Sequence, residues 1–244
     1  PESFKELWRS IGEDYFLRET SQSIAEHTKA IIEHDRPHEP LVLIRQTSHR
    51  VFEGATEIFI YSQDFKNLFA ATVSTMDQLH LNIQDARIIV TDCDEVLNTY
   101  TVLSDDNTPL SENPDHLSQI KQRLIEELDD PDDYPDIIQR RVPRQMKLFA
   151  TPTQVYLSND SVSQQTVLEV ITPDRPGLLA RIGGIFAEHN LSVRKARITS
   201  VGEKVEDFFF ITDDEGNPLA DPQLCQTLQD DICHQLDETI QHEQ

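Results

Sequence analysis

The chain repeats itself. Shifted by 110 positions (174 − 64), the stretch DFKNLFAATVSTMDQLHLNIQDARI (64–88) lies without a gap on DRPGLLARIGGIFAEHNLSVRKARI (174–198). Asp64 meets Asp174, Leu68 meets Leu178, Ala70 meets Ala180 and Leu81 meets Leu191, and the match ends with Ala86-Arg87-Ile88 on Ala196-Arg197-Ile198. After a one-residue deletion, LSDDNTPL (103–110) faces ITDDEGNPL (211–219). A unit has been duplicated, and what one copy folds into the other must fold into as well.

Each unit reads the same way. The alternating runs TEIFIYS and TVLEVIT predict strands over residues 56–62 and 166–172. Helices are expected over 67–80 and 177–189, with Asp64 or Asp174 placed to cap their free N–H groups. NIQDARIIV with EVLNTYTVL, and SVRKARITS with KVEDFFFIT, predict hairpins turning at Asp92–Asp94 and Gly202–Lys204. A second helix follows in each unit, with Asn113 or Asp221 as cap beside a first-turn proline. Strand, helix, two strands, helix is a ferredoxin-like α+β unit lacking one strand. PLVLIRQ (40–46) and TQVYLSN (153–159) are spare strands placed ahead of the two units. A leading hairpin would seat each spare strand where the missing one belongs, giving ββαββα, a circular permutation of βαββαβ. Exchange of the spare strands between units is the competing layout.

The remainder is connective. Residues 4–34 predict two helical segments, one with a Trp8, Ile11 and Tyr15 stripe, the other with Ile24, Thr28 and Ile31 after a Ser21 cap. EELDDPDDYPDIIQRRVPRQMK (126–147) carries prolines and opposite charge blocks and reads as a linker with docking potential. The divisions are a helical linker at 1–38, one unit at 39–130, an inter-unit linker at 131–150 and the second unit at 151–244.

Bulk properties narrow the function. A net charge of −23 argues against nucleic acid and against anionic membrane, both of which need basic faces. No apolar run reaches the roughly 20 residues of a membrane span, and the start, PESFKELWRSIGEDYF, has no signal-peptide layout. Beginning at a proline, the chain is expected to be part of a longer protein. Cys93, Cys225 and Cys233 make no disulfide framework and no CxxC site, and a reducing cytoplasm fits them.

Asp-Arg-Pro-Gly-Leu-Leu-Ala at a strand-to-helix junction, followed by HNLSVRKARI, resembles an ACT domain, a small-molecule-binding regulatory module. The tandem pair, DFKNLFAA and DRPGLLAR, together with the upstream helix LWRSIGEDYFLRETSQSIAEHTKAI, is similar to the C-terminal region of the bacterial PII uridylyltransferase family. That resemblance implies a glutamine-sensing segment governing attachment and removal of UMP on the PII nitrogen-signalling protein. It also implies no cofactor in this segment, Mg in the catalytic domains, and ACT sheets able to pair into a homodimer. Neither catalytic domain has a counterpart here. His34-Asp35, with His38 beyond Pro37, is read as a helix end rather than a metal site.

An amino-acid zwitterion needs donors for its carboxylate and acceptors for its ammonium. A helix N-terminus supplies free N–H groups and a positive dipole end. Gly177 removes the Cβ from that approach, Pro176 presets the turn, and Asp174 either caps the helix or accepts from the ammonium. Arg175 and Leu178 complete this junction. Asn190, Ser192 and Val193, with Asn82 and Ile83 in the other unit, open the next strand and are placed to read a carboxamide. In the first unit Asp64, Asn67 and Leu68 take the corresponding places, but Phe65, Lys66 and Asn67 replace Arg-Pro-Gly, so that junction is the weaker candidate. Gly183 and Gly184, costing about 1 kcal/mol each in mid-helix, are read as a close approach of a neighbouring element. A protein-interaction module docking PII without a small ligand is the alternative function. No Ser, Cys or His motif supports a small enzyme.

Overall fold

The computed structural model describes residues 3–36, 39–46, 54–91, 93–110, 113–129, 151–175, 177–201 and 204–241. Three helices come first: α1 (Ser3–Ser10), α2 (Glu13–Arg18) and α3 (Ser21–Glu33). The first unit follows as β1 (Leu41–Gln46), β2 (Thr56–Gln63), α4 (Leu68–Gln78), β3 (Leu81–Val90), β4 (Glu95–Ser104) and α5 (Pro114–Asp129). The second repeats it as β5 (Gln154–Asp160), β6 (Gln165–Pro173), α6 (Leu178–Glu188), β7 (Ser192–Val201), β8 (Lys204–Thr212) and α7 (Pro222–Gln241). Both units are therefore ββαββα, as the spare strands predicted.

The eight strands form one antiparallel sheet in the palindromic order β1-β2-β4-β3-β7-β8-β6-β5. Each spare strand pairs with its own unit, β1 with β2 and β5 with β6, so strands are not exchanged. The halves meet at β3 and β7, where Ala86, Arg87 and Ile88 lie opposite Ile198, Arg197 and Ala196. Since 87 + 110 = 197, Arg87 faces its own repeat, and a pseudo-twofold axis passes there. The sheets of the two units thus pair within one chain, leaving β1 and β5 as the outer edges.

Helices α4–α7 cover one face of the sheet. β6 alternates buried and half-buried along its length, as a strand with one covered face should. β2 is buried at Thr56–Ile60 without alternation, because α1–α3 lie on its other face. There Ile11 and Tyr15 pack on Phe59 and Leu97, the Ile11 and Tyr15 part of the stripe predicted from sequence. Trp8, its third member, stays 41% exposed and donates to the Thr28 hydroxyl.

The rest of that helical region differs from expectation. Thr20, not Ser21, caps α3, accepting from the Ser23 N–H at 3.1 Å. Thr20 has the extended backbone a cap needs, whereas Ser21 is already helical. The buried α3 positions are Ser23 and His27, while Ile24 and Ile31 are half-buried. His27 is fully buried and stacks on Phe59 at 3.7 Å between ring centres. Its Nδ1 lies 2.8 Å from the Tyr15 hydroxyl, and its Nε2 is 3.4 Å from the buried Glu57 carboxylate. Arg45 also reaches Glu57, at 2.6 Å, together with Glu26 and Ser23. Ile24 and Ile31 of the predicted stripe pack on the same cluster as Ile11 and Tyr15, and the polar partners of Ser23 and His27 on that face bury it more deeply. Asn113 and Asp221 cap as predicted, accepting from the Asp115 and Gln223 N–H groups. Helix α5 runs to Asp129, inside the expected linker, whose remainder, residues 130–147, lies outside the described residues.

Candidate functional site

Two clefts lie at the strand-to-helix junctions, and each is built from both units. The second-junction cleft takes Asp174, Arg175 and Gly177–Ala180 from its own unit and Leu81, Asn82 and Ile83 from the start of β3 in the other. The first-junction cleft takes Asp64, Phe65 and Asn67–Ala70, with Leu191, Ser192 and Val193 from β7. This crossing follows from the fold: antiparallel pairing of β3 with β7 brings each strand's first residues beside the opposite unit's helix start. The clefts are of similar size, about 520 and 430 Å³ with their open mouths, so size does not distinguish them.

Both junctions open their helix with a left-handed residue. Gly177 has φ of 74° and Asn67 φ of 66°, angles for which glycine carries no steric cost and asparagine a modest one. A Cβ on Gly177 would also approach Asp77 Oδ1 to 3.3 Å. Neither residue makes a side-chain cap bond, and neither Asp is the cap. The backbone N–H groups of Phe65 and Arg175 instead favour the ionised forms of the adjoining Asp64 and Asp174 carboxyls. The left-handed turn moves the helix start past both carboxylates. Pro176 lies outside the described residues.

The clefts differ in charge. The second-junction cleft holds Asp77, Asp105, Asp174, Asp207 and Arg175. Arg175 is 5% exposed, and among the described residues none of its guanidinium nitrogens has a hydrogen-bond partner. Burial, then the nearby Arg181, pushes its pKa down to about 10 against the pull of Asp237. Burial raises the Asp174 carboxyl, opposed by the Arg175 N–H. Among the described residues the first-junction cleft has one charged lining residue, Asp64, and Arg194 Nη1 donates to its Oδ2 at 2.7 Å. Burial raises Asp64 as well, with Arg194 pulling the other way.

Most residues proposed from sequence therefore gather in one cleft or the other. Asn190 does not: it lines neither, and its Oδ1 accepts from Lys66 Nζ at 2.8 Å. Asn82 lines the second-junction cleft while donating to Asn107 Oδ1 at 2.7 Å. Gly183 meets its expected neighbour, since a Cβ there would lie 3.0 Å from both Ala70 Cα and Val73 Cγ2 on α4. Gly184 is half-buried beside it. Asp77, Asp105, Asp207 and Arg194 were not singled out from sequence. Asp105 lies in the repeated acidic turn, and Arg194 shows in the repeat as a charge over Gln84. Among the described residues no group of His, Cys, Asp or Glu could hold a metal ion. His34 Nε2 lies 2.7 Å from the Glu39 carbonyl, and His38 is outside the described residues.

An antiparallel sheet of this order, with paired helices on one face and clefts shared across the axis, defines a tandem ACT-domain chain. The ACT domain model matches residues 166–229, and that of the Uridylyltransferase GlnD fifth domain matches residues 1–30. Over nearly its whole length the chain is similar to a segment of bifunctional uridylyltransferase/uridylyl-removing enzymes. It is 52% identical over 236 residues to the enzyme of Stutzerimonas stutzeri, covering 97% of this chain and 26% of that one. The Pseudomonas aeruginosa enzyme is 53% identical over 232 residues, covering 95% and 26%. The chain thus spans about a quarter of the length of these relatives. Among solved structures, the aspartate kinase from Synechocystis aligns with TM-score 0.34 and 19% identity, over 67% of this chain and 25% of that one. No helix among the described residues is long and apolar enough to cross a membrane.

Proposed function

We propose that this chain is the glutamine-sensing regulatory segment of a PII uridylyltransferase/uridylyl-removing enzyme, and that glutamine binds in the second-junction cleft. The observation that carries the reading is Arg175. A buried guanidinium without a hydrogen-bond partner is costly to maintain, and an incoming carboxylate would relieve that cost. The α6 N-terminus adds its first-turn N–H groups and the positive end of its dipole. Asp174 accepts from the ammonium. The start of β3 receives the side-chain amide, where a bulge between Ile83 and Asp85 interrupts the ladder and leaves backbone groups available.

Because the cleft draws on both units and lies beside the seam, ligand favours one arrangement of the halves over others in proportion to its difference in affinity. In the whole cytoplasmic enzyme this bias would pass through α1–α3 to Mg-dependent catalytic domains and set the balance between uridylylation and deuridylylation of PII. Titration calorimetry with glutamine, glutamate and other amino acids tests the reading, and heat from none of them ends it. Capture of PII that is indifferent to glutamine would favour a docking module instead.

A further inference from the structure

The two clefts are related by the repeat, and what differs between them points to a built-in counter-ion. Both β3 and β7 carry a bulge at the same place in the repeat, between Ile83 and Asp85 and between Val193 and Lys195. The bulged residues are Gln84 and Arg194 (84 + 110 = 194). A bulge re-aims the side chain it carries, and at Arg194 it delivers a guanidinium to Asp64 in the opposite unit. Arg194 and Asp64 are both half-buried, and Asp94 Oδ1 stands 3.8 Å from the same guanidinium. Lys66 Nζ, bonded to Asn190, braces the same seam. At the other junction the neutral Gln84 amide lies 3.5 Å from Asn107 Oδ1, and among the described residues no side chain forms an ion pair with Asp174.

We propose that Arg194 is an internal substitute for a ligand's ammonium: it occupies the acidic acceptor of the first-junction cleft, so that the chain takes up one amino acid, at the second junction, where the bulge residue is uncharged. This rests on the glutamine reading and adds to it the number of sites and the residue that sets it. In the first cleft Arg194 neutralises the sole lining charge, and the position of Arg175 is held by Phe65, so neither end of a zwitterion finds a free partner. In the second, Asp174 and Arg175 are both available, and the bulge residue offers Asp174 nothing to compete with the ligand.

The test moves the counter-ion. Wild type, Q84R, R194M and the exposed control Q223R are titrated with glutamine after circular dichroism confirms folding. One glutamine per wild-type chain is expected. Q84R, which installs the guanidinium beside Asp174, should weaken binding by about tenfold or more, the effect of losing a charge-assisted contact, and Q223R should bind as wild type does. Two equivalent sites in wild type, or Q84R binding with wild-type affinity, overturns the counter-ion assignment and leaves the glutamine reading standing. No heat from wild type refutes both. If Q84R does not fold, R194M decides: a second, weaker binding event supports the assignment, and an unchanged stoichiometry of one refutes it.

Discussion

Gly183 and Val73 occupy equivalent places in the repeat (73 + 110 = 183) and meet where α4 crosses α6, a Gly183 Cβ lying 3.0 Å from Val73 Cγ2. One small and one large residue share a space fit for one side chain. G183V adds three carbons where even the first is too close to Ala70 and Val73, and overpacking of this kind costs about 1–3 kcal/mol, less a few tenths regained in helix propensity. V73G removes a side chain that is 1% exposed, costing about 2–3 kcal/mol in burial and roughly 1 kcal/mol more for a mid-helix glycine. The sum is about 4–7 kcal/mol if the sites are independent. The double variant V73G/G183V instead restores one valine facing one glycine. Its flanking residues correspond as well, since Ala70 is the repeat of Ala180. It should therefore lie within about 1 kcal/mol of wild type, a coupling of about 3–6 kcal/mol, at or above the upper end usual for contacting pairs. Urea unfolding midpoints at constant m-value measure all four corners of the cycle. A double variant as unstable as the sum of the singles would refute the pseudo-symmetric crossing.

Three further outcomes follow from the charged groups. R175M should raise the melting temperature of the ligand-free chain, by about 1–3 kcal/mol of stability from removing an unsatisfied buried cation, and should abolish the glutamine-induced shift seen in a thermal ramp. Burial holds the Asp174 carboxyl above its ordinary 3.8. Glutamine affinity measured calorimetrically should then decline on acidification before pH reaches that value, because only the ionised form attracts an ammonium, and D174N should bind weakly at every pH. Burial pulls Glu57 upward, but the nearby His27 imidazole and the Arg45 guanidinium outweigh it and hold the carboxyl below its ordinary 4.5. Its stabilisation is complete above pH 4.5 and lost as pH falls through the lowered folded value. E57Q should therefore cost about 3 kcal/mol at pH 7, a deficit that shrinks in acid, as denaturant melts across pH would record.

Periodicity and the repeat carried the fold because both are local: alternation marked β2 and β6, and turn prolines and caps marked α5 and α7. The spare strands were legible because a missing strand in a duplicated unit leaves one geometric vacancy. That a cleft opens at the second junction was legible through Gly177 and its neighbours. What sequence withheld was tertiary. On the face of α3 marked by Ile24 and Ile31, His27 finds Tyr15 and Glu57 across sequence gaps, and an aliphatic stripe does not register such partners. Thr20 and Ser21 are adjacent residues with equal capping chemistry, and only backbone angles separate them. Asp77 entered the cleft because α4 of one unit runs under the helix start of the other, a relation no spacing within α4 reveals. Arg194 was written in the repeat as a mismatch with Gln84, yet its meaning required knowing that both stand on bulges.

Pairing β3 with β7 sets every seam residue against its own duplicate. Were the halves separate identical molecules, Arg87 and Arg197 would be one residue with one environment. Joined in a single polypeptide, they have parted: Arg87 is bound by Glu19 of the leading helices at 2.8 Å, while Arg197 stays in solvent. Genetic fusion thus released positions on the axis from a shared identity, and mutation in either copy could specialise its half without altering the other.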